Sequence, residues 1–434
     1  MMKKVLSKIT VLLATVLSLT CCSYYKPATY VAGTIMDNPD DGLTSSDRNN
    51  KRSLQLAEQM WKDYYDEDLN ASFEFYPYKD DSEQIASCWH FTSILSLYVK
   101  LVGNNPNDKN LKDKLDMVLE GLEYYHEKRN DGHRAYAVKR GIDIDRAQSG
   151  YMADVYDDNM WIAREFLNAY EVLEDETLLT KCKETIKYCL TGWDSSINPK
   201  TGLEWGGIYW GPDYTSKHAC SNGPIISTLV RLHEIMPNEE VYGRTYLEWA
   251  KAVYDFSIKT FKTSDELYGD MIGTEKKQGV TVSHGGLDTT LYTYNTGTMI
   301  SGGAYLYKVT NDTKYLEQAK KTMEASLEIF GSDDLVEGYY QFPVATTTWF
   351  NLTLFQGYYD LLLVDDSAKD YIEIVQKSID FAYNNYLYEN NLPVNWVSGW
   401  QYGLSKDEYR DVMDVASTAE TFALLSMKDK LFEK

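Results

Sequence analysis

Basic charge is what this 434-residue chain has least of: 43 Lys and Arg stand against 65 Asp and Glu, a net charge of −22. Nucleic acid and anionic lipid surfaces both require a basic face on their partner, so neither fits, whereas neutral glycans do. Cysteine is scarce as well, with Cys88, Cys182, Cys189 and Cys220 the only ones beyond residue 22. Cys182 and Cys189 fall on one predicted helix about 10 Å apart along its axis. A disulfide needs Cα atoms within about 7 Å, so these two cannot pair, and no disulfide framework is visible. Long apolar runs are missing too. The stretch from Ile9 to Leu19 is 11 residues, and a spanning helix needs roughly 20. The six histidines (His90, His126, His133, His218, His233, His284) form no His-Glu-x-x-His zinc motif. Neither a Gly-x-Ser-x-Gly elbow nor a phosphate-binding glycine loop occurs, and no calcium-loop spacing follows Asp143 and Asp145. We therefore expect no metal and no cofactor.

What is present begins with Lys3, Lys4 and Lys8 ahead of the short apolar core, the pattern of a secretory signal. Leu19-Thr20-Cys21-Cys22 resembles a bacterial lipobox, with Cys22 as the lipidated residue because Leu19 then stands three before it. An ordinary cleaved signal with two incidental cysteines is the alternative. Residues 23–52, rich in Tyr, Asp, Asn, Ser and Pro and lacking an apolar period, read as a flexible tether. A single domain is expected over 53–434. Its expected location is the cell envelope, as a lipoprotein of the outer membrane held by the lipid anchor, with periplasmic and surface faces both open.

Through that domain apolar residues recur at three and four, and stop signals separate the segments. Twelve helices are predicted, near 53–66, 85–103, 110–127, 157–173, 176–191, 222–236, 240–261, 289–308, 313–331, 346–364, 367–387 and 412–428. Very short polar links such as Glu174-Asp175, Thr310-Asn311-Asp312 and Asp365-Asp366 force antiparallel neighbours. Six successive pairs point to an all-α fold, the closed (α/α)6 toroid. An open solenoid would show a shared side-chain repeat, which is absent. Long loops follow every second helix and so emerge on one face, where function is expected.

Those loops are aromatic: Phe73, Phe75, Tyr76 and Tyr78; Trp193, Trp205, Tyr209 and Trp210; Trp396, Trp400 and Tyr402. Aromatic faces stack on the C–H faces of sugars, although loop aromatics also serve as plugs beneath neighbouring loops. In Trp205-Gly206-Gly207-Ile208-Tyr209-Trp210 paired glycines let backbone approach a ligand, or simply make a tight turn. Asn222 is a plausible helix cap. Of five Asp-Asp dipeptides, Asp40-Asp41 lies in the tether, Asp80-Asp81 in a charged turn, and Asp333-Asp334 and Asp365-Asp366 at expected caps or turns. Asp157-Asp158 differs because Tyr156 and Trp161 flank it at the start of an apolar helix. There the macrodipole favours an ionised carboxylate, while aromatic surroundings raise a neighbour's pKa. Such a division separates an acid from a base, and glycosidic hydrolysis needs two carboxyls in those roles; a double helix cap is the other reading of this pair.

Tyr156-Asp157-Asp158-Asn159-Met160-Trp161 resembles the Tyr-Asp-Asp-Asn-x-Trp signature of the bacterial mannanases of glycoside hydrolase family 76. Further along, Gly206-Gly207-Ile208-Tyr209-Trp210, Lys217-His218-Ala219-Cys220-Ser221-Asn222-Gly223-Pro224 and Tyr294-Asn295-Thr296-Gly297-Thr298 resemble other segments of that family, in its order. Tyr209, Thr296 and Gln356 depart from the residues usual there. The resemblance implies an (α/α)6 fold and retaining, metal-independent cleavage inside α-1,6-linked mannose chains of the yeast or fungal mannan type. Asp157 would be the nucleophile and Asp158 the acid/base. Tyr156, Trp161, Trp205, Gly206, Gly207, Tyr209, Trp210, Lys217, Asn222, Tyr294 and Asn295 would contact substrate. Two competing readings are a lipid-anchored glycan-binding protein without chemistry and another (α/α)6 glycan-active enzyme.

Overall fold

Twelve α-helices dominate the computed structural model, which describes residues 42–77, 85–127, 132–141, 154–277, 280–344, 347–400 and 410–427. Six are nearly apolar all round: α2 (Cys88–Asn104), α4 (Tyr156–Leu173), α6 (Gly223–Ile235), α8 (Thr293–Thr310), α10 (Trp349–Leu362) and α12 (Val412–Leu425). Thirteen of the 14 residues of α10 are buried, a pattern that suits a helix enclosed on every side. The other six carry a single apolar stripe: α1 (Ser45–Tyr64), α3 (Lys109–Leu122), α5 (Glu176–Leu190), α7 (Tyr246–Phe261), α9 (Thr313–Phe330) and α11 (Lys369–Tyr386). In α9 the stripe is Tyr315, Ala319, Thr322, Met323, Ser326 and Phe330, one helical face.

The apolar helices form the inner ring, each packed on the next and α12 returning to α2. Every inner helix is backed by an outer one, and α1 closes the ring by packing on α12. This is the (α/α)6 toroid. Two links use one device: Glu174 and Asn311 end α4 and α8 in the left-handed region (φ 56° for both), and Asp175 and Asp312 at once cap α5 and α9. Between α8 and α10 the backbones nearly touch. A Cβ on Gly297 would stand 2.6 Å from Leu354 Cα.

Three boundaries differ from the sequence reading. α1 begins at Ser45, not 53, because Thr44 and Asp47 form a capping box. Its first turns bury polar groups: Asn49 Nδ2 donates to Gln376 (2.6 Å), Arg52 pairs with Asp380 (2.5 Å), and Ser53 Oγ donates to the Ala419 carbonyl (2.7 Å). A seam of that kind has no apolar period and so looked like tether. Residues 240–245 form a small hairpin ahead of α7. The segment 289–291 ends a strand, not a helix, for the loop before α8 holds a long hairpin.

All six inner helices start at one end of the ring, and the loops entering them carry most of the strands. We label β1 (Phe75–Tyr76), β2 (Lys217–His218), β3 (Gly269–Lys277), β4 (Val280–Leu291) and β5 (Arg410–Asp411). β1 pairs with β5, and β4, β3 and β2 form an antiparallel sheet in which His218 faces Met271. At the other end the ring encloses a cavity of about 480 Å³, lined from all six inner helices and including Lys100, Arg164, Arg231 and Asp360. The four cysteines among the described residues are free and buried. Among the described residues no helix is long and apolar enough to cross a membrane. The signal, Cys22 and the tether up to residue 41 lie outside the described residues.

Candidate active site

Asp157 and Asp158 occupy the first turn of α4 at the mouth of the ring. Val155 precedes the helix and offers no side-chain cap, so the free N–H groups of that turn are left to carboxylates. The backbone N–H of Asp158 donates to Asp157 Oδ1 at 3.1 Å. Asp157 Oδ2 accepts the Trp210 indole N–H at 3.0 Å and the Cys220 thiol at 3.2 Å. Burial raises the pKa of Asp157, while these donors pull it back. Asp158 has no donor on its carboxyl among the described residues. Burial and then the charge of Asp157 both push its pKa well above the usual carboxylate range. One group is thus prepared to be ionised and its neighbour to carry a proton.

The donors are held by a braced loop. Gly206 and Gly207 adopt φ of 74° and 80°, and a Cβ on Gly207 would lie 2.2 Å from the Phe256 ring, so glycine is required on both counts. Lys217 Nζ reaches the Gly206 carbonyl and Asp194 Oδ2, both at 2.6 Å. Burial works to raise the Asp194 pKa, but hydrogen bonds from Lys217, Ser196 and Tyr209 prevail and hold it at about 2. Asn222 stands at the N-cap position of α6 without capping it. Its carboxamide instead brackets one peptide, accepting from Ile208 N (2.8 Å) and donating to Ile208 O (3.0 Å). The loop then passes to Trp210, whose ring stacks on His218 at 4.6 Å and whose carbonyl accepts the Tyr156 N–H at 2.8 Å.

Of the residues singled out from sequence, Asp157, Asp158, Trp210 and Tyr294 are brought together. Tyr294 stacks on Phe350 at 4.1 Å. Tyr156 and Trp161 are each only 4 % exposed: the first packs on Tyr188, the second edge-on to Trp349 at 4.7 Å. Asn295 is buried, and neither atom of its amide has a partner. Lys217, Asn222, Gly206 and Gly207 brace the loop, Tyr209 lies under the Lys217 ammonium at 4.8 Å, and Trp205 is exposed. Several loop aromatics are plugs. Trp193 Nε1 donates to Glu204, Trp400 Nε1 donates to the Tyr386 carbonyl, and Phe73 and Trp396 are buried. Tyr78, Tyr402, Asp143 and Asp145 lie outside the described residues.

Sequence reasoning missed the inner-helix starts. Trp89, Tyr292, Trp349 and Phe350 form an aromatic cluster there with Tyr294. Beside it Glu74, His90 and Asp411 bring possible metal-ligand atoms within 4.8 Å of one another. His90 Nε2 already pairs with Asp411 at 3.2 Å. Burial opposes the imidazolium, yet Asp411 and Glu74 raise the His90 pKa. Asp414 accepts Thr348 N at 2.7 Å. Burial, with the Asp411 charge, lifts its pKa to about 6 against the hydrogen bonds from Thr348 and Thr347. An aromatic or acid at the first turn of an apolar helix was the available signal, and it was used only at Asp157.

Comparison with known proteins agrees with this fold. Over 158 residues the chain is 29 % identical to the mannan endo-1,6-alpha-mannosidase DCW1 of Candida glabrata, covering 36 % of this chain and 33 % of that protein. The chain therefore matches about a third of the length of this curated relative. A family 76 mannosidase of Bacteroides thetaiotaomicron shares the fold, with a TM-score of 0.74 at 21 % identity over 88 % of this chain and 99 % of that one. So does an α-1,6-mannanase of Salegentibacter sp., an inactive variant with asparagine at two consecutive aspartates, in complex with α-1,6-mannotriose. There the TM-score is 0.66 at 20 % identity, over 87 % of this chain and 99 % of that one. The model of glycosyl hydrolase family 76 matches residues 51–430, nearly the whole toroid, and the chain belongs to that family.

Proposed function

We propose that the protein is an endo-acting α-1,6-mannanase that hydrolyses mannan backbones with retention of configuration. The observation that carries this is the inequality of two adjacent carboxyls: three donors on Asp157, none on Asp158. Asp157 attacks the anomeric carbon while Asp158 gives its proton to the departing glycosidic oxygen. Asp158 then takes a proton from the water that opens the glycosyl–Asp157 ester. Two inversions give retention, and retaining enzymes hold their carboxyls about 5–5.5 Å apart, within reach of neighbours on one turn. The pair of aspartates exchanged in the inactive Salegentibacter enzyme, and the mannotriose bound to it, support both site and substrate class. Trp210, Tyr294, Tyr292 and Trp89 supply aromatic faces at the mouth. Tyr156, Trp161, Lys217 and Asn222 act from beneath, as supports.

The purified protein, given unbranched α-1,6-mannan, should release a ladder of oligosaccharides whose new reducing ends appear first as the α-anomer by proton NMR. A β-anomer would overturn retention. Release of mannose alone would overturn endo action, and no release at all would leave a glycan-binding protein. We also propose that the chain is a lipoprotein of the cell envelope, anchored through Cys22. Replacing Cys21 and Cys22 with alanine should move it to the soluble fraction, and unchanged membrane association would exclude the anchor.

A further inference from the structure

Cys88, Cys182 and Cys189 belong to the apolar core, as buried free thiols usually do. Cys220 does not. It is 7 % exposed, lies outside that core cluster, and its neighbours are polar: Asp157, Tyr294 and Asp270. Its sulfur is 3.2 Å from Asp157 Oδ2, which also takes the Trp210 N–H. Tyr294 stands near enough to influence the thiol. Two separate parts of the ring thus meet at one carboxylate oxygen: α4 through Asp157, and the loop entering α6 through Trp210 and Cys220.

We infer that Cys220 is a positioning residue for the nucleophile: with Trp210 it pins Asp157 Oδ2, so that Oδ1 is presented for attack. The inference rests on the mannanase reading. Oδ1 keeps a single backbone donor, from Asp158, whereas Oδ2 has two side-chain donors. As the bond from Oδ1 to the anomeric carbon forms and the glycosidic C–O bond breaks, Oδ2 becomes the ester carbonyl and retains both donors. A thiol is a weak donor. It fixes orientation while withdrawing less charge from the nucleophile than a hydroxyl would.

Other ionisable groups lie around this pair: Asp158 on the same turn and Cys189 on α5 near Asp157, Asp270 on β3 and Tyr294 near Cys220, and Asp154 near Cys189. Burial keeps the Cys220 thiol protonated through the acid range, so it remains a donor there.

Cys220→Ala and Cys220→Ser, both in the full-length protein, test the idea. With α-1,6-mannan, Cys220→Ala should lose about tenfold in kcat with little change in KM, the worth of one hydrogen bond to a charged group. The acid limb of its pH profile should move to higher pH. Cys220→Ser should recover most of the rate and move that limb to lower pH. A 13C-aspartate NMR titration, which needs no substrate, should show the Asp157 carboxyl titrating higher in Cys220→Ala than in the wild type. If Cys220→Ala matches the wild type in rate and titration, or if Cys220→Ser behaves like Cys220→Ala, the inference is overturned. An inactive wild type with the expected Asp157 titrations would overturn only the mannanase reading.

Discussion

A carboxyl is acid or nucleophile according to its surroundings, and Asp157 and Asp158, one peptide apart, have opposite surroundings. Asp157→Asn and Asp158→Asn should each reduce turnover on mannan by orders of magnitude while leaving mannotriose binding nearly intact, as titration calorimetry would read. An activated leaving group should restore the first step in Asp158→Asn and not in Asp157→Asn. The pH profile follows from the shifts. Activity should fall with decreasing pH as Asp157 gains a proton, and with increasing pH as Asp158 loses one. Both groups are raised, so the bell should sit above the ordinary carboxylate range. Asp158→Asn, assayed with the activated substrate, should lack the basic limb. The pair was legible because Tyr156 and Trp161 mark an apolar helix start. Its donors were not: Trp210 and Cys220 lie 53 and 63 residues away, and only folding brings them near.

Elements carry the site through braces and caps. α1 closes the ring, so a chain beginning at residue 53 should be less stable than one beginning at residue 43 by about 3 kcal/mol, from the lost capping box and the lost Arg52–Asp380 pair. The urea midpoint would show it, and equal midpoints would mean that residues 45–52 add nothing. Lys217 is an internal strut between Asp194 and the Gly206 carbonyl, with little exposure of its own. Lys217→Met should destabilise by about 1.5–3 kcal/mol, because the partly buried Asp194 loses its cationic donor while keeping Ser196. It should also raise KM as Trp210 loosens. A change in KM with unaltered stability would mean that Lys217 touches substrate and braces nothing. Helix identity was readable from local period. The polar seam of α1 and the hairpin before α8 were not, since their partners lie on distant segments.

Across the whole molecule six helix N-termini converge on the mouth, where their partial positive charge favours acids such as Asp157, Asp158, Asp411 and Asp414. Asp414 ties pH to stability. Its folded pKa of about 6 lies above the unfolded value, so its contribution is full below about pH 4 and is lost as pH rises through 6. Asp414→Asn keeps an oxygen for Thr347 and Thr348 and should be more stable than the wild type at pH 7.5, by on the order of 1–3 kcal/mol. That gain should shrink toward pH 4.5, and a constant difference across thermal melts would refute the assignment. From local order alone the chain determined twelve amphipathic or apolar helices, their pairing through two-residue links, the face bearing the loops, and an aspartate pair at a helix start. Periods, caps and short links act within a few residues, so they are written where they act. Ring closure decided the rest: which loop aromatics are plugs, that Asn222 holds a peptide instead of a helix end, and that a thiol and an indole from one distant loop make neighbouring aspartates chemically unlike.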